Sequence, residues 1–271
     1  MLRCSRSLAV LAVLLSICGS SLAQSSAADA WKLLESGLAD KSTDNRVSSV
    51  RLLGLLENDR KAEQLAVTAL ADPKEEVRAA AADALGQMKA KTAASKLAEM
   101  AKTEKEPSVV LACARSLISL GHPVGYNVFY AVLTGERKSG DSLLDSQKKM
   151  LSDPKKMAQF GFEQGIGFVP FGGISYTTFK MVTKDDTSPV RAAAAKILSK
   201  DPDPKSGEAL VNAASDKSWI VRAAAIESIA LRGDPNLLPR IESKLSDDKD
   251  AVRFTTAAAI IRLTEIKAHK P

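Results

Sequence analysis

At 271 residues the chain has room for one elongated domain or two compact ones. Hydrophobic residues make up 45% and charged residues 26%, as in a folded soluble protein, while aromatics reach only 4%, a balance that favours close-packed helices over β-sandwiches. The formal charge of +6 is spread along the chain in short pairs such as Lys148-Lys149 and Lys155-Lys156; with no dense basic stripe, there is no electrostatic case for nucleic-acid binding.

Residues 1–23 read as a secretory signal peptide. Arg3 and Arg6 form a positive start, Ser7 to Ile17 an apolar run, and Ser21-Leu22-Ala23 a small-residue cleavage site. The expected mature protein is exported, periplasmic or extracellular, and begins after about Ala23. Cys4 and Cys18 depart with the signal, so Cys113 stands alone and stability must come from packing without an internal disulfide. No later stretch has the roughly 18–20 apolar residues of a spanning helix.

From residue 24 to residue 136 the chain is organised by a repeat. Asp72 to Leu85 aligns with Asp185 to Leu198, Asp216 to Ile229 and Asp247 to Ile260. Each copy has Asp, four residues, Val-Arg, small residues, and an aliphatic eight positions after the Val. Degenerate copies run from Glu104 to Leu117 and from Ser42 to Leu55. The anchoring valines, 47, 77, 109, 190, 221 and 252, are spaced by about 31 residues apart from one long gap. That period predicts helix–turn–helix units stacked into an α-solenoid with six A helices. The Asp, with Pro73, Pro107 or Pro189 after it, suits a helix start. The Val and the later aliphatic share one face, and the small residues permit close helix crossings. Shorter B helices are expected at Thr92–Glu104, Pro123–Glu136 and Pro235–Asp247, with turns at Gly121-His122-Pro123 and Gly233-Asp234-Pro235.

On these residues the chain resembles the HEAT-repeat superfamily, in particular its short variant known from bilin-lyase-type proteins. The resemblance implies an all-α fold: an α-solenoid of HEAT-like helical-hairpin repeats. It also implies that Asp72, Asp185, Asp216 and Asp247 and Arg78, Arg191, Arg222 and Arg253 form a structural ladder between repeats, the alternative being an anion-binding Arg row. The bilin-lyase relatives bring in a tetrapyrrole-handling lyase or chaperone as an alternative function, against which the signal peptide argues.

Residues 137–184 interrupt the period as one mid-chain helical insertion, with a helix expected from Ser142 to Leu151. Within it, residues 160–179 hold five of the chain's seven Phe and five of its Gly. Gly167 to Gly172 has the spacing of a phosphate loop, but Gly173-Ile174 follows where Lys and Ser or Thr are needed, and Pro170 removes a donor. Sixteen uncharged residues between Glu163 and Lys180 are too few and too broken by Gly to cross a bilayer. Three readings stay open. The segment is a corner whose Phe plug the seam between two half-solenoids, an interfacial membrane contact, or a binding lip. The lip would combine Phe162, Phe168, Phe171 and Tyr176 with Tyr126 and Tyr130, four residues apart on the preceding helix. From residue 185 to residue 271 the repeats resume.

Nothing in the chain composes a catalytic or metal centre. His122 and His269 are the only histidines, neither lies beside a Glu as the metal ligands of HEAT-built di-iron hydroxylases do, and no triad can be assembled. Cys113 takes the place of Ala81 and Ala194 in the repeat, a buried small-residue position. The expectation is an exported, non-catalytic scaffold, with no cofactor, that binds a protein or peptide; peripheral membrane or lipid binding through residues 160–179 is the alternative.

Overall fold

The computed structural model describes residues 26–134 and 187–269, and every regular element among them is helical. Residues 26–38 form α1. Then come α2 (Thr43–Leu53), α3 (Arg60–Ala69), α4 (Glu75–Gln87), α5 (Ala94–Thr103), α6 (Pro107–Ser119) and α7 (Val124–Thr134). The second half supplies α8 (Ser188–Leu198), α9 (Pro204–Ala213), α10 (Trp219–Arg232) and α11 (Asp250–His269). Gly121 and Gly233 close α6 and α10 with φ of 72° and 70°, a left-handed conformation that glycine adopts without strain.

One expected helix does not form. Pro235–Asp247 folds as two 3-10 segments, Pro235–Arg240 and Glu242–Ser246. Pro239 falls inside the stretch, where it lacks the N–H an α-helix needs and its ring crowds the preceding turn. The first repeat is also framed differently from its valine anchor. Arg46, six residues after Asp40, bonds the Asp40 carbonyl as Arg78 bonds that of Asp72. The unit therefore starts at Asp40, and Leu53 takes the deep aliphatic position. Leu53, Leu85, Leu117, Ile229 and Ile260 are all fully buried there.

The small residues do what their size predicts. A β-carbon on Gly86 would stand 2.8 Å from the Cα of Ser116, so α4 and α6 cross almost backbone to backbone. Ser116 Oγ donates to the Ala82 carbonyl at 2.7 Å across that crossing.

The order in which the A helices stack differs from their order in sequence. α2 packs on α4 and α4 on α6; α8 packs on α10 and α10 on α11. The two halves then join through α11 against α2. The spatial order is α8, α10, α11, α2, α4, α6, so the last A helix of the chain abuts the first. The halves meet at the chain's two ends; residues 137–184, with the expected Phe plug between half-solenoids, lie outside the described residues. α1 comes against the start of α11, since a β-carbon on Gly37 would lie 2.8 Å from the Phe254 ring and also collide with Ser49.

Val190 registers the consequence. Its equivalents Val77, Val109, Val221 and Val252 are at most 1% exposed, whereas Val190 is 71% exposed. The sequence pattern places it on the buried face, but α8 begins the row, and among the described residues no A helix stands before it.

Candidate functional site

The row of arginines is built by the repeat. Arg46 donates from Nε and Nη2 to the two carboxylate oxygens of Asp72 at 2.9 and 3.1 Å, while its Nη1 donates to the Asp40 carbonyl. Arg78 repeats this with Glu104 at 2.9 Å and the Asp72 carbonyl. Arg191 grips Asp216 at 3.2 and 3.0 Å, and Arg222 grips Asp247 at 2.8 and 2.7 Å. Each carboxylate also accepts a backbone N–H two residues on, Lys74, Ser218 or Lys249 in the Asp rungs. The Asp thus stands just before the helix, tying its own turn to the arginine of the preceding repeat. Burial alone would raise the Asp72 and Asp216 carboxyls, but the Arg46 and Arg191 bonds and these N–H groups hold both below the ordinary range. Guanidiniums spent in this way are not an anion-binding row. Asp185 lies outside the described residues.

At the seam the ladder changes partners. Arg253 pairs with Asp250 on its own helix, and its Nε is buried without a hydrogen-bond partner. Asn45 bridges the halves instead, donating to Asp40 Oδ2 at 3.1 Å and to Asp250 Oδ2 at 3.2 Å. About two and a half turns further along α11 than Arg253, Arg262 donates to the Ala230 carbonyl at 3.0 Å and to the Leu55 carbonyl, and stands 3.9 Å from Glu57. It joins the end of α10 to the end of α2. Beside it a cleft of about 390 Å³ is lined by Glu57, Asn58, Arg262, Glu265, Ile266 and His269. Sequence reasoning missed this cluster, because none of its members occupies a repeated position.

The candidate binding residues fare unevenly. Tyr126 projects from α7 and is 57% exposed. Tyr130 follows it on the same helix. Phe162, Phe168, Phe171 and Tyr176 lie outside the described residues, as does the expected helix Ser142–Leu151. Cys113 is fully buried, and burial, with Asp83 and Glu104 adding to it, pushes its thiol up to about 12. His122 and His269 are on different elements, and among the described residues no group of three His, Cys, Asp or Glu is placed to hold a metal. No helix among them is long and apolar enough to cross a membrane.

The sequence matches HEAT repeats over residues 31–118 and 177–265, which together cover more than half of the chain. The protein belongs to the HEAT-repeat family. No curated protein matches it. Among solved structures it is similar to human deoxyhypusine hydroxylase, determined in complex with glycerol. That alignment spans 91% of this chain and 99% of the other at 14% identity with a TM-score of 0.33. The repeats of this HEAT protein use their recurrent polar residues on one another, which leaves the non-repeating surface of the B helices as the part free to vary.

Proposed function

We propose that this HEAT protein is an exported, non-catalytic scaffold that binds a protein or peptide along its stacked repeats. The observation that carries the reading is the spent ladder: the recurrent Arg and Asp side chains close on each other between repeats. What remains for recognition is the extended concave surface formed by the stacked short B helices, the usual contact surface of solenoids. Export rests on the Arg3 to Ala23 stretch and is the second half of the proposal. The tetrapyrrole alternative has no residue of its own in its support, and scaffold kinship alone does not carry an activity.

Photo-crosslinking in intact cells tests the binding role. A crosslinking residue is placed at Gln64, Glu99, Tyr126 or Glu208, all exposed on B helices. One discrete adduct shared by neighbouring positions supports the proposal. Adducts absent at all four positions, or a turnover that a point mutation abolishes without unfolding, would refute it. Mass determination of the exported protein checks the other half, with a chain starting at Gln24 expected.

A further inference from the structure

We propose that residues 153–184 are a further repeat of the array, and that its leading segment, Asp153 to Gly167, docks on the uncovered face of α8. The segment lies outside the described residues. The described ones supply the socket, and the repeat pattern identifies what fills it.

The socket is read by counting from the Asp that opens each unit. Position +12 faces the A helix before it in the row: Ser116 on α6 meets Ala82 and Gly86 of α4. Positions +9 and +5 lie one and two turns back along the same face. On α8 the three are Ile197, Ala194 and Val190, and all are exposed, Ile197 at 63% and Val190 at 71%. Their equivalents Val77, Ala81 and Ala84 on α4, and Val221, Ala225 and Ser228 on α10, are at most 1% exposed. The outermost unit of a solenoid needs a polar outer face, and α8 has the face of an internal one. The other end of the row is closed: α7 lies over α6, where a β-carbon on Gly125 would stand 2.7 Å from the Ala114 carbonyl oxygen. The α6 end of a second copy therefore presents no free A-helix face to α8.

The occupant is written in the period. Asp153-Pro154-Lys155 repeats Asp72-Pro73-Lys74 and stands 32 residues before Asp185, the separation of Asp40 from Asp72 and of Asp72 from Glu104. Counted on from Asp153, Gly161 and Gly165 take the small-residue places of Ala80 and Ala84, and Ile166 the deep aliphatic place of Leu85. Gly167 takes the place of Gly86, the residue that lets α4 lie against Ser116. The equivalent of Ser116 on α8 is the bulkier Ile197, which a glycine opposite can admit. The copy departs from the pattern at Gln159, where the ladder has Arg, and at Glu163, where the other units are apolar; terminal repeats are atypical in this way.

The size of the face favours a tethered occupant over a separate molecule. A helix of 11 residues is about 16 Å long and about 10 Å across, so one face of α8 offers on the order of 200 Å². A stable complex buries roughly 800 Å² on each partner. A segment joined to the start of α8 is present at an effective concentration on the order of millimolar, and so can hold a face that a second copy would not. Gly161 and Gly165 disfavour a free-standing helix, so the segment is ordered only while it is docked.

The test is amide hydrogen exchange on the chain from Gln24 to Pro271, wild type against Ile197→Asp, which places a charge on the exposed face of α8. In wild type the amides of residues 157–167 are expected to exchange at least tenfold more slowly than in the unfolded chain. Ile197→Asp should return them to the unfolded rate, with α4 and α10 unchanged. A second measurement uses Gly167→Cys with Ile197→Cys: under mild oxidation the pair should close within one chain at least tenfold faster than Gly167→Cys with Val67→Cys, whose partner is exposed on α3. Unfolded-chain exchange at 157–167 in wild type overturns the proposal, as does protection that Ile197→Asp leaves intact. So do equal closure rates for the two pairs, or a disulfide that joins two copies, which would mean that the face receives another molecule.

Discussion

Arg222 and Asp247 meet as two parallel bonds, Nε to Oδ2 at 2.8 Å and Nη2 to Oδ1 at 2.7 Å, while Nη1 holds the Asp216 carbonyl. One side chain thereby fastens its own turn and the next repeat. The side chains are 12% and 7% exposed, against 35% and 19% for Arg191 and Asp216. Removing one partner of a buried pair strands the other, whereas an exposed carboxylate regains water. Arg222→Met should therefore cost about 3 kcal/mol in urea unfolding and Arg191→Met about 1 kcal/mol or less. Equal losses would show that burial does not set the value of a rung.

Glu227 on α10 predicts a stability that falls towards neutral pH. Its Oε2 is buried with no hydrogen-bond partner, and burial pushes its carboxyl up to about 7, Lys196 only partly offsetting this. In the unfolded chain the group ionises near its ordinary 4.5. Between those values only the unfolded state gives up the proton, so stability is lost as the pH rises from about 4.5 to about 7, by something on the order of 3 kcal/mol. The ladder carboxyls act in the opposite sense: their pKa values are lowered, and their contribution is lost as the pH falls below the ordinary carboxylate range. Melting temperature should peak near pH 5. Glu227→Gln should make the decline between pH 5 and pH 7.5 clearly smaller, Glu265, also raised to about 7, accounting for part of what is left; a decline of unchanged size in that variant would count against the assignment.

Gly37→Ala offers a test of the seam that helix propensity alone would get wrong. In an exposed helix the change gains about 1 kcal/mol. Here the new methyl group meets the Phe254 ring at 2.8 Å and Ser49 beside it, so overpacking of about 1–3 kcal/mol should prevail. Chemical denaturation of the variant should show a net loss, and a gain would mean that α1 does not press on α11.

Cys113 should be silent as a thiol. It is fully buried on α6, and its pKa is pushed up to about 12. Native protein at pH 8 should react with a thiol-specific disulfide reagent at a small fraction of the rate of urea-unfolded protein. Comparable rates would place Cys113 nearer the surface.

Much of this fold was legible as a period. The D-x4-VR pattern located α4, α8, α10 and α11, because it encodes a close crossing and an ion pair that every unit needs. Pro239 inside a presumed helix was visible but outweighed by the apolar pattern around it. The first repeat was framed two residues late, because Val47 imitates the anchor while Arg46 is the member that bonds. The stacking order was not legible at all: a period says that neighbours pack, not which end meets which. Val190 looks like its four buried equivalents until the row is seen to begin with it. For the same reason Asn45 and Asp250 carry no mark in the sequence; they come together only because the first and last repeats do.

The stacking order also sets the timing of folding. Asn45 bonds Asp250 across 205 residues and Arg262 bonds Leu55 across 207. A HEAT array stacked in chain order assembles from local contacts as it emerges from the ribosome, but here the centre of the row is its longest-range contact. The face of α2 that receives α11 stays uncovered until nearly the whole chain has been made. A growing chain therefore carries an unfinished, apolar surface on its first repeat, where a chaperone has the longest time to hold it.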